Sequence, residues 1–444
     1  MSEVAPLVYK FGGAVLRLPE GFAAMVQRLR EGLRRGRPLL LIVSALGRVT
    51  RQLEQAAFTA EAGRGAEALA MAAQVLEHHR ELAARLLGSK CSGFQEYLDR
   101  SAQRLEGYLQ GIAVTGELTP RALDAVRSFG EMWASALVAA FLRGSGIDPI
   151  CIDAPELIRT DSQHGAAQPL LEPTRAAVHQ HLVPLLRPGQ VVLTQGFIGR
   201  SIEGRLTTMG QESSALTAVL LAMLTGAEEV TFWTDVAGIR ECDPALVTEA
   251  ALVPQMSYTQ ALRVARAGLR LLYPRMVEFA RQWKLRLRFR SAFTPEAGET
   301  IVSELPGRMV PMIVIRERVY LLALPPEQMS TELRLHAIDG SSLFLRWDEP
   351  ERTVVLCSSD VPYSTPQEVG GLVTVLYGTQ QQIARLIQLC GQQQHEGAPV
   401  RLWSLGDQLR CFISEGRLPS LVRALWRELR ASASECTKGA EAAS

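Results

Sequence analysis

The sequence predicts an α/β protein: a doubly wound domain with a mainly parallel sheet between helices, followed by a smaller strand-rich α/β module. Three observations predict this. Strand-like and helix-like segments alternate from Leu7 to about residue 303, as in a sheet covered on both faces. The run PLLLIVSAL (Pro38–Leu46) is apolar throughout, which fits a strand buried on both sides. After Gly307 the texture changes to closely spaced strands separated by helix-like stretches.

Taken in order, LVYKFGG reads as a short strand ending in a glycine turn, and GFAAMVQRLREGLRRG as a helix before PLLLIVSAL. Residues 51–144 are almost all helical in composition, rich in Ala, Leu, Glu, Gln and Arg. PICIDA, QVVLTQGFIG and EEVTFWTDVAG place further strands between helices. LRLRFRSA alternates with period two, and EAGET makes a turn before IVSELPG. Beyond Gly307, PMIVIRERVYLLALP, SSLFLRWDEPERTVVLCSS and GGLVTVLYG are strand-rich, whereas PEQMSTELRLHAI and TQQQIARLIQLCGQQ are helix-like, giving two βαββ-like passes. The expected division is 1–307, 308–430, and a small, polar, disordered tail at 431–444.

Bulk properties exclude several classes. The net charge of +1 gives no polyanion-binding surface, so no nucleic-acid partner is expected. The cysteines are odd in number, scattered and never in CxxC spacing, which predicts reduced thiols in a cytoplasmic protein. His78 and His79 adjoin in a helical stretch with no third ligand nearby, so no metal site is expected. MSEVAPLVYKFGG lacks the layout of a signal peptide, and no 18-residue uncharged apolar run marks a membrane span.

The chemistry concentrates in a few segments. LTTMGQESSALTA (Leu206–Ala218) places Thr, Gly and Ser between a strand-like and a helix-like run, the layout of a loop that holds an anion at a helix N-terminus. In KFGG, Lys10 ends the first strand against Gly12 and Gly13. Glycines admit a phosphate close to the backbone, and a lysine can neutralise a transferring phosphoryl group. Alone, the segment reads more readily as a turn, and it is not the GxxxxGK[ST] pattern. SFGE (Ser128–Glu131) reads as the opening of an amphipathic helix, with Glu131 as a first-turn carboxylate. FWTDVAGIRECDP (Phe232–Pro244) sets Asp235 in a loop at the carboxyl end of a strand, where open α/β sheets bind ligands or simply turn.

In this order, VYKFGG, VSALGRVT, SFGE, QGFIG, EGRLTTMG, TDVAGI…DP, MSYTQALRVARAGLRLLYPR and FRSAFTPEAGETIV resemble the amino acid kinase fold and, within it, aspartate kinase. The resemblance covers nearly all of residues 7–303. By position, the strand-rich remainder matches the tandem ACT-like regulatory domains of that family. The resemblance implies phosphoryl transfer from ATP, with Mg2+ carried by the nucleotide, to the β-carboxylate of L-aspartate or a related small amino acid. Lys10 matches the lysine that stabilises the phosphoryl group in flight, and Gly12 and Gly13 would lie under the phosphates. Glu131 matches the carboxylate that holds the substrate ammonium. Thr50, Gln211 and Ser214 fall at substrate-binding positions, and Thr234, Asp235 and Arg275 at nucleotide-binding ones. A homodimer or higher homo-oligomer and a feedback amino-acid effector are also implied, with no membrane partner.

One segment departs from the family. Where aspartate kinases read TTLGRGGSD or TTLGREGSD, this chain has Gln211 for the arginine and Ala215 for the aspartate, and Ser213 for a glycine. The arginine forks onto the substrate's side-chain carboxylate, and losing such a charge-assisted bond costs about 1.5–3 kcal/mol. The aspartate orients the lysine and the ammonium; deleting a preorganising group of that kind removes roughly a hundred- to a thousandfold in rate. Three expectations follow: an aspartate kinase, a weak or regulatory paralogue, or a kinase of a different small amino acid.

Overall fold

The computed structural model describes residues 5–210, 213–324, 343–348, 353–358, 368–395 and 400–441. The chain divides into two compact units, Met1–Gly238 with Arg275–Leu305, and Ile239–Pro274 with Pro306–Ser444.

The first unit begins with β1 (Leu7–Phe11), α1 (Pro19–Leu33) and β2 (Leu39–Val43). Four long helices follow: α2 (Val49–Glu61), α3 (Gly65–Leu87), α4 (Ser92–Thr115) and α5 (Pro120–Gly144). These fill the stretch whose composition predicts helix. Next come β3 (Ile150–Cys151), α6 (Ala154–Leu157), β4 (Arg159–Thr160), α7 (Leu171–Ala177), β5 (Val191–Gln195), β6 (Ile198–Ser201) and β7 (Leu206–Thr208). The first long stretch of this unit closes with α8 (Ser214–Leu224) and β8 (Glu229–Thr234). In the second unit lie β9 (Gln255–Ser257) and α9 (Tyr258–Ala267). The chain then returns through α10 (Pro274–Gln282), β10 (Arg286–Ser291) and β11 (Glu299–Ser303).

The main strands of the first unit stand in the order β3-β5-β2-β1-β8-β10-β11. All these pairings are parallel except β10 with β11. Residues 39–43 are buried without exception, as the apolar run requires. On one face Tyr9, Phe11, Leu39, Leu41 and Val43 join Phe22, Met25 and Leu29 of α1 and Trp133 and Leu137 of α5 in one core. The other face is covered by α8, which is apolar nearly all round and lies against β1, β2 and β8. By length and composition alone α5 could span a membrane, yet 67% of that window is buried inside the protein, where α5 is the central helix of its layer. His79 lies in the same core, its Nδ1 2.7 Å from the Val75 carbonyl and its ring edge-on to Trp133.

Register sets the functional edge. Phe11 aligns with Val43 and Trp233, Val43 with Gln195, and Thr234 with Ser291, so the carboxyl ends of β1, β2, β5, β8 and β10 share one rim. A small sheet, β4-β6-β7, carries the chain from that rim into the Thr207–Ser214 segment.

The second unit has β12 (Met312–Leu324), β13 (Leu343–Asp348), β14 (Thr353–Ser358), β15 (Glu368–Leu376), α11 (Gln380–His395), β16 (Arg401–Leu405), β17 (Gln408–Ser414) and α12 (Leu418–Glu441). Its six strands run β13-β14-β12-β15-β17-β16, and every pairing is antiparallel. One βαββ pass, β15-α11-β16-β17, is complete; the helix expected at PEQMSTELRLHAI lies outside the described residues. Ile239–Pro274, which the sequence groups with the first domain, clusters here instead. Cys242, Val247 and Ala250 share a core with Ile313, Val373 and Trp426, and Arg263 pairs with Asp407 at 2.5 Å. The final helix runs on to Glu441, across positions that read as a disordered tail. Its small residues are alanine-rich and thus compatible with helix.

Candidate active site

At the end of β1, Lys10 precedes Gly12 and Gly13, and the glycines are required by what surrounds them. A Cβ on Gly13 would fall 2.2 Å from the Ala45 carbonyl oxygen, and the Gly47 N–H donates to the Gly13 carbonyl at 3.0 Å. The backbone after β1 therefore lies flush against the loop after β2. A Cβ on Gly12 would stand 3.7 Å from Lys10 Nζ, so the glycine leaves that flank of the ammonium uncovered. Such a bare, cation-flanked floor fits a phosphate. The Gly12 N–H reaches the Trp233 carbonyl at 3.4 Å, which brings Thr234 and the exposed Asp235 beside the same turn. The Thr234 hydroxyl donates to the Val236 carbonyl at 2.7 Å and shapes the start of that loop.

Glu131 faces the lysine from the helical layer. The expectation that SFGE opens a helix is corrected: Glu131 lies in mid-helix, because α5 starts earlier, at Thr119-Pro120. There the Thr119 hydroxyl accepts from the Ala122 N–H at 3.2 Å and proline fills the first helical position. Glu131 is buried. Its Oε1 accepts from the Ala45 N–H at 3.4 Å, the Thr50 hydroxyl bonds the same carboxyl group, and Oε2 is buried with no partner among the described residues. Burial pushes its carboxyl up to about 8, against the opposing pull of these hydrogen bonds and of the Lys10 ammonium. An unpaired carboxylate oxygen beside a lysine, at the carboxyl edge of a parallel sheet, is a place made for a ligand cation.

Ser214 opens α8 and its hydroxyl is 2.9 Å from that of Ser44, which ties the start of that helix to the end of β2. Ala215 follows as the second residue of that helix and presents only a methyl group. Gln211 lies outside the described residues. Arg275 is the second residue of α10. Lys10, Gly12, Gly13, Thr50, Glu131, Ser214, Thr234 and Asp235 thus lie on one rim. No group of three or more His, Cys, Asp or Glu among the described residues is arranged to hold a metal ion.

Two further residues were not singled out from the sequence. Asp124, fully buried, accepts from His164, from the Gly165 N–H and from the Thr208 hydroxyl. Phe197, in QGFIG, has a φ of 71°, with its N–H donating to the Thr217 hydroxyl and its carbonyl accepting from Met209. A strained non-glycine residue at that rim is the kind of cost that sites retain. The available signal for Asp124 was its spacing, since Asp124, Ser128 and Glu131 put polar groups on one stripe of an otherwise apolar helix.

Residues 5–291 match the profile of the amino acid kinase family, and the chain belongs to that family. Its relatives include aspartokinases. Chloroplastic aspartokinase 1 of Arabidopsis thaliana is 30% identical over 232 residues, 51% of this chain and 41% of that protein. Lysine-sensitive aspartokinase 3 of Escherichia coli (strain K12) is 32% identical over 205 residues, 45% of each chain. The matches thus span less than half the length of these relatives. The crystal structure of E. coli aspartokinase III in complex with aspartate and ADP shares the fold, with a TM-score of 0.76 at 22% identity over 95% of this chain and 99% of that one.

Proposed function

We propose that the protein is an ATP-dependent kinase of a small amino acid, with L-aspartate as substrate and 4-phospho-L-aspartate as product. The observation that carries this reading is Glu131, a buried carboxyl with an unpartnered oxygen next to the lysine of a glycine turn. In that role Glu131 takes the substrate's α-ammonium, a charge-assisted contact that also returns the carboxyl to its ionised form. Thr50 holds the Glu131 carboxyl in place, and Ser214 serves the side-chain end of the substrate, the role the family resemblance also gives Gln211. ATP with its Mg2+, bound over Gly12, Gly13, Thr234, Asp235 and Arg275, supplies the phosphoryl group and the metal's charge. Lys10 neutralises charge between the two bound anions. A carboxylate is already nucleophilic at neutral pH, so positioning and charge neutralisation are what the site must provide. The bound ADP and aspartate of the E. coli structure support this assignment. The six-stranded antiparallel unit is proposed as an ACT-like regulatory module that takes an amino-acid effector, as the name of the lysine-sensitive relative suggests.

Ala215 favours a second reading, a chain of reduced or regulatory activity. At the first turn of α8 a methyl group stands where the family carboxylate would orient Lys10 and the ammonium. One experiment separates the two. Purified protein is assayed for aspartate-dependent ADP release and for acyl phosphate trapped as the hydroxamate, with Lys10→Ala as the blank. Release that vanishes in the blank supports the kinase. ATP binding without turnover, followed by a gain of roughly a hundredfold or more over background in Gln211→Arg with Ala215→Asp, supports the impaired paralogue.

A further inference from the structure

We propose that Asp124 is a positioning residue for phosphoryl transfer: its carboxylate locks the strand that enters the substrate loop onto the helix that carries Glu131. This inference rests on the phosphoryl-transfer reading above. Three elements meet on this one side chain. The Gly165 N–H lies 3.0 Å from both carboxylate oxygens, His164 Nδ1 is 2.8 Å from Oδ2, and the Thr208 hydroxyl donates to Oδ1. Side-chain exposure is 0% for Asp124 and 16% for His164. A buried carboxylate is costly unless its lone pairs are met, and here the partners come from the turn after β4 and from β7, the strand that leads into the loop.

The lock continues into the site. Thr208 is also held through its carbonyl, which accepts from the Ala167 N–H at 3.0 Å, and Thr207 shares a 2.8 Å hydroxyl bond with Thr160. Two residues on, the Gly210 carbonyl accepts from the Ser213 hydroxyl at 2.7 Å, immediately before Ser214 reaches Ser44. At its other end, Asp124 precedes Glu131 by two helical turns, about 10.5 Å along the same rigid helix. The carboxylate therefore couples the position of the ammonium-binding Glu131 to that of the loop that opens α8. In a reaction run by positioning, an error of about 1 Å there costs on the order of a hundredfold. The coupling matters more in this chain than in the family pattern, because Ala215 cannot help to hold the loop's contents in place.

The test uses the full chain and the variants Thr208→Val, Thr208→Ser and Asp124→Asn. Turnover is followed with aspartate and ATP, together with hydrogen exchange of the backbone amides from Leu206 to Leu216 and thermal melting. The expected result is a kcat at least about tenfold lower in Thr208→Val and Asp124→Asn, with KM for ATP within about twofold of the parent. Exchange should be faster at Leu206–Gly210 in the same two variants, while each still melts cooperatively. Thr208→Ser keeps the hydroxyl and should recover most of both losses. Faster exchange with unchanged kcat would reduce Asp124 to a structural clamp and overturn the proposal, as would unchanged exchange. If the parent chain turns over no amino acid, it is the phosphoryl-transfer reading that fails. The exchange measurement then still decides whether Asp124 and Thr208 hold the loop.

Discussion

Two buried carboxyl groups stand two turns apart on α5, and they have opposite surroundings. Asp124 has partners on both oxygens, drawn from two separate segments, the His164–Gly165 turn and β7. Glu131 has partners that reach only part of its carboxyl and leave Oε2 bare, so burial pushes it up to about 8. On the same helix, one acid is finished by the fold and the other is left for something the fold does not contain. A satisfied buried charge reads as architecture, and an unsatisfied one as a binding site.

The widest test of that contrast is a pair of near-isosteric replacements. Glu131→Gln removes the anion that would hold the substrate ammonium, and KM for the amino acid should rise roughly ten- to more than a hundredfold, the equivalent of about 1.5–3 kcal/mol. Its melting temperature should hold or rise, because an uncompensated buried acid is gone. Asp124→Asn should lower stability by about 3 kcal/mol, since the partners of a buried charge lose it. Urea unfolding and initial-rate kinetics on both variants check this. Equal destabilisation by the two would end the distinction between them.

A second test uses pH. In the free protein Glu131 is raised to about 8 and is mostly protonated at pH 7, yet an ammonium ligand requires the ionised form. Binding therefore expels a proton, and affinity for the amino acid should increase with pH, by about tenfold from pH 6.5 to 7.5, and level off above 8. The sign follows from a carboxyl that is high when empty and lower when paired. KM measured across that range in the parent should show the slope, and Glu131→Gln should flatten it. A KM independent of pH in the parent would mean that Glu131 is not the ammonium ligand.

The contrast also explains what the sequence made legible. The alternation of elements, the doubly buried strand and the rim motifs are local patterns with a fixed period or a fixed place after a strand, and each survives in the structure. Lys10 and Glu131 were singled out only through the order of the motifs and the family they resemble, because KFGG and SFGE taken alone read as a turn and a helix start. Asp124 was not, because its partners lie 40 to 84 residues away and no local rule joins an acid in a helix to a histidine in a loop and a threonine in a strand. The packing of Ile239–Pro274 with the C-terminal unit was hidden for the same reason, as it depends on Cys242, Val247 and Ala250 finding a distant core. Strand and helix patterns report burial, but not which core receives it.

The smallest expected effect concerns where Glu131 sits rather than its charge. Gly130 lets α5 approach the loop after β2: a Cβ there would stand 3.0 Å from Ala45 Cβ, 3.1 Å from Val49 Cγ1 and 3.6 Å from Thr50 Oγ1. In Gly130→Ala, the helix gains about 1 kcal/mol from replacing a mid-helix glycine. Crowding against Ala45 and Val49 costs about 1–3 kcal/mol. The two nearly offset, so stability should change by no more than about 2 kcal/mol. The neighbours must still give by a few tenths of an ångström, and they are the residues that hold the Glu131 carboxyl through the Ala45 N–H and the Thr50 hydroxyl. KM for the amino acid should therefore rise about three- to tenfold, with little change in KM for ATP. Equal changes in both constants would show that the methyl disturbs the whole rim, and that the placement of Glu131 is not separately controlled by this contact.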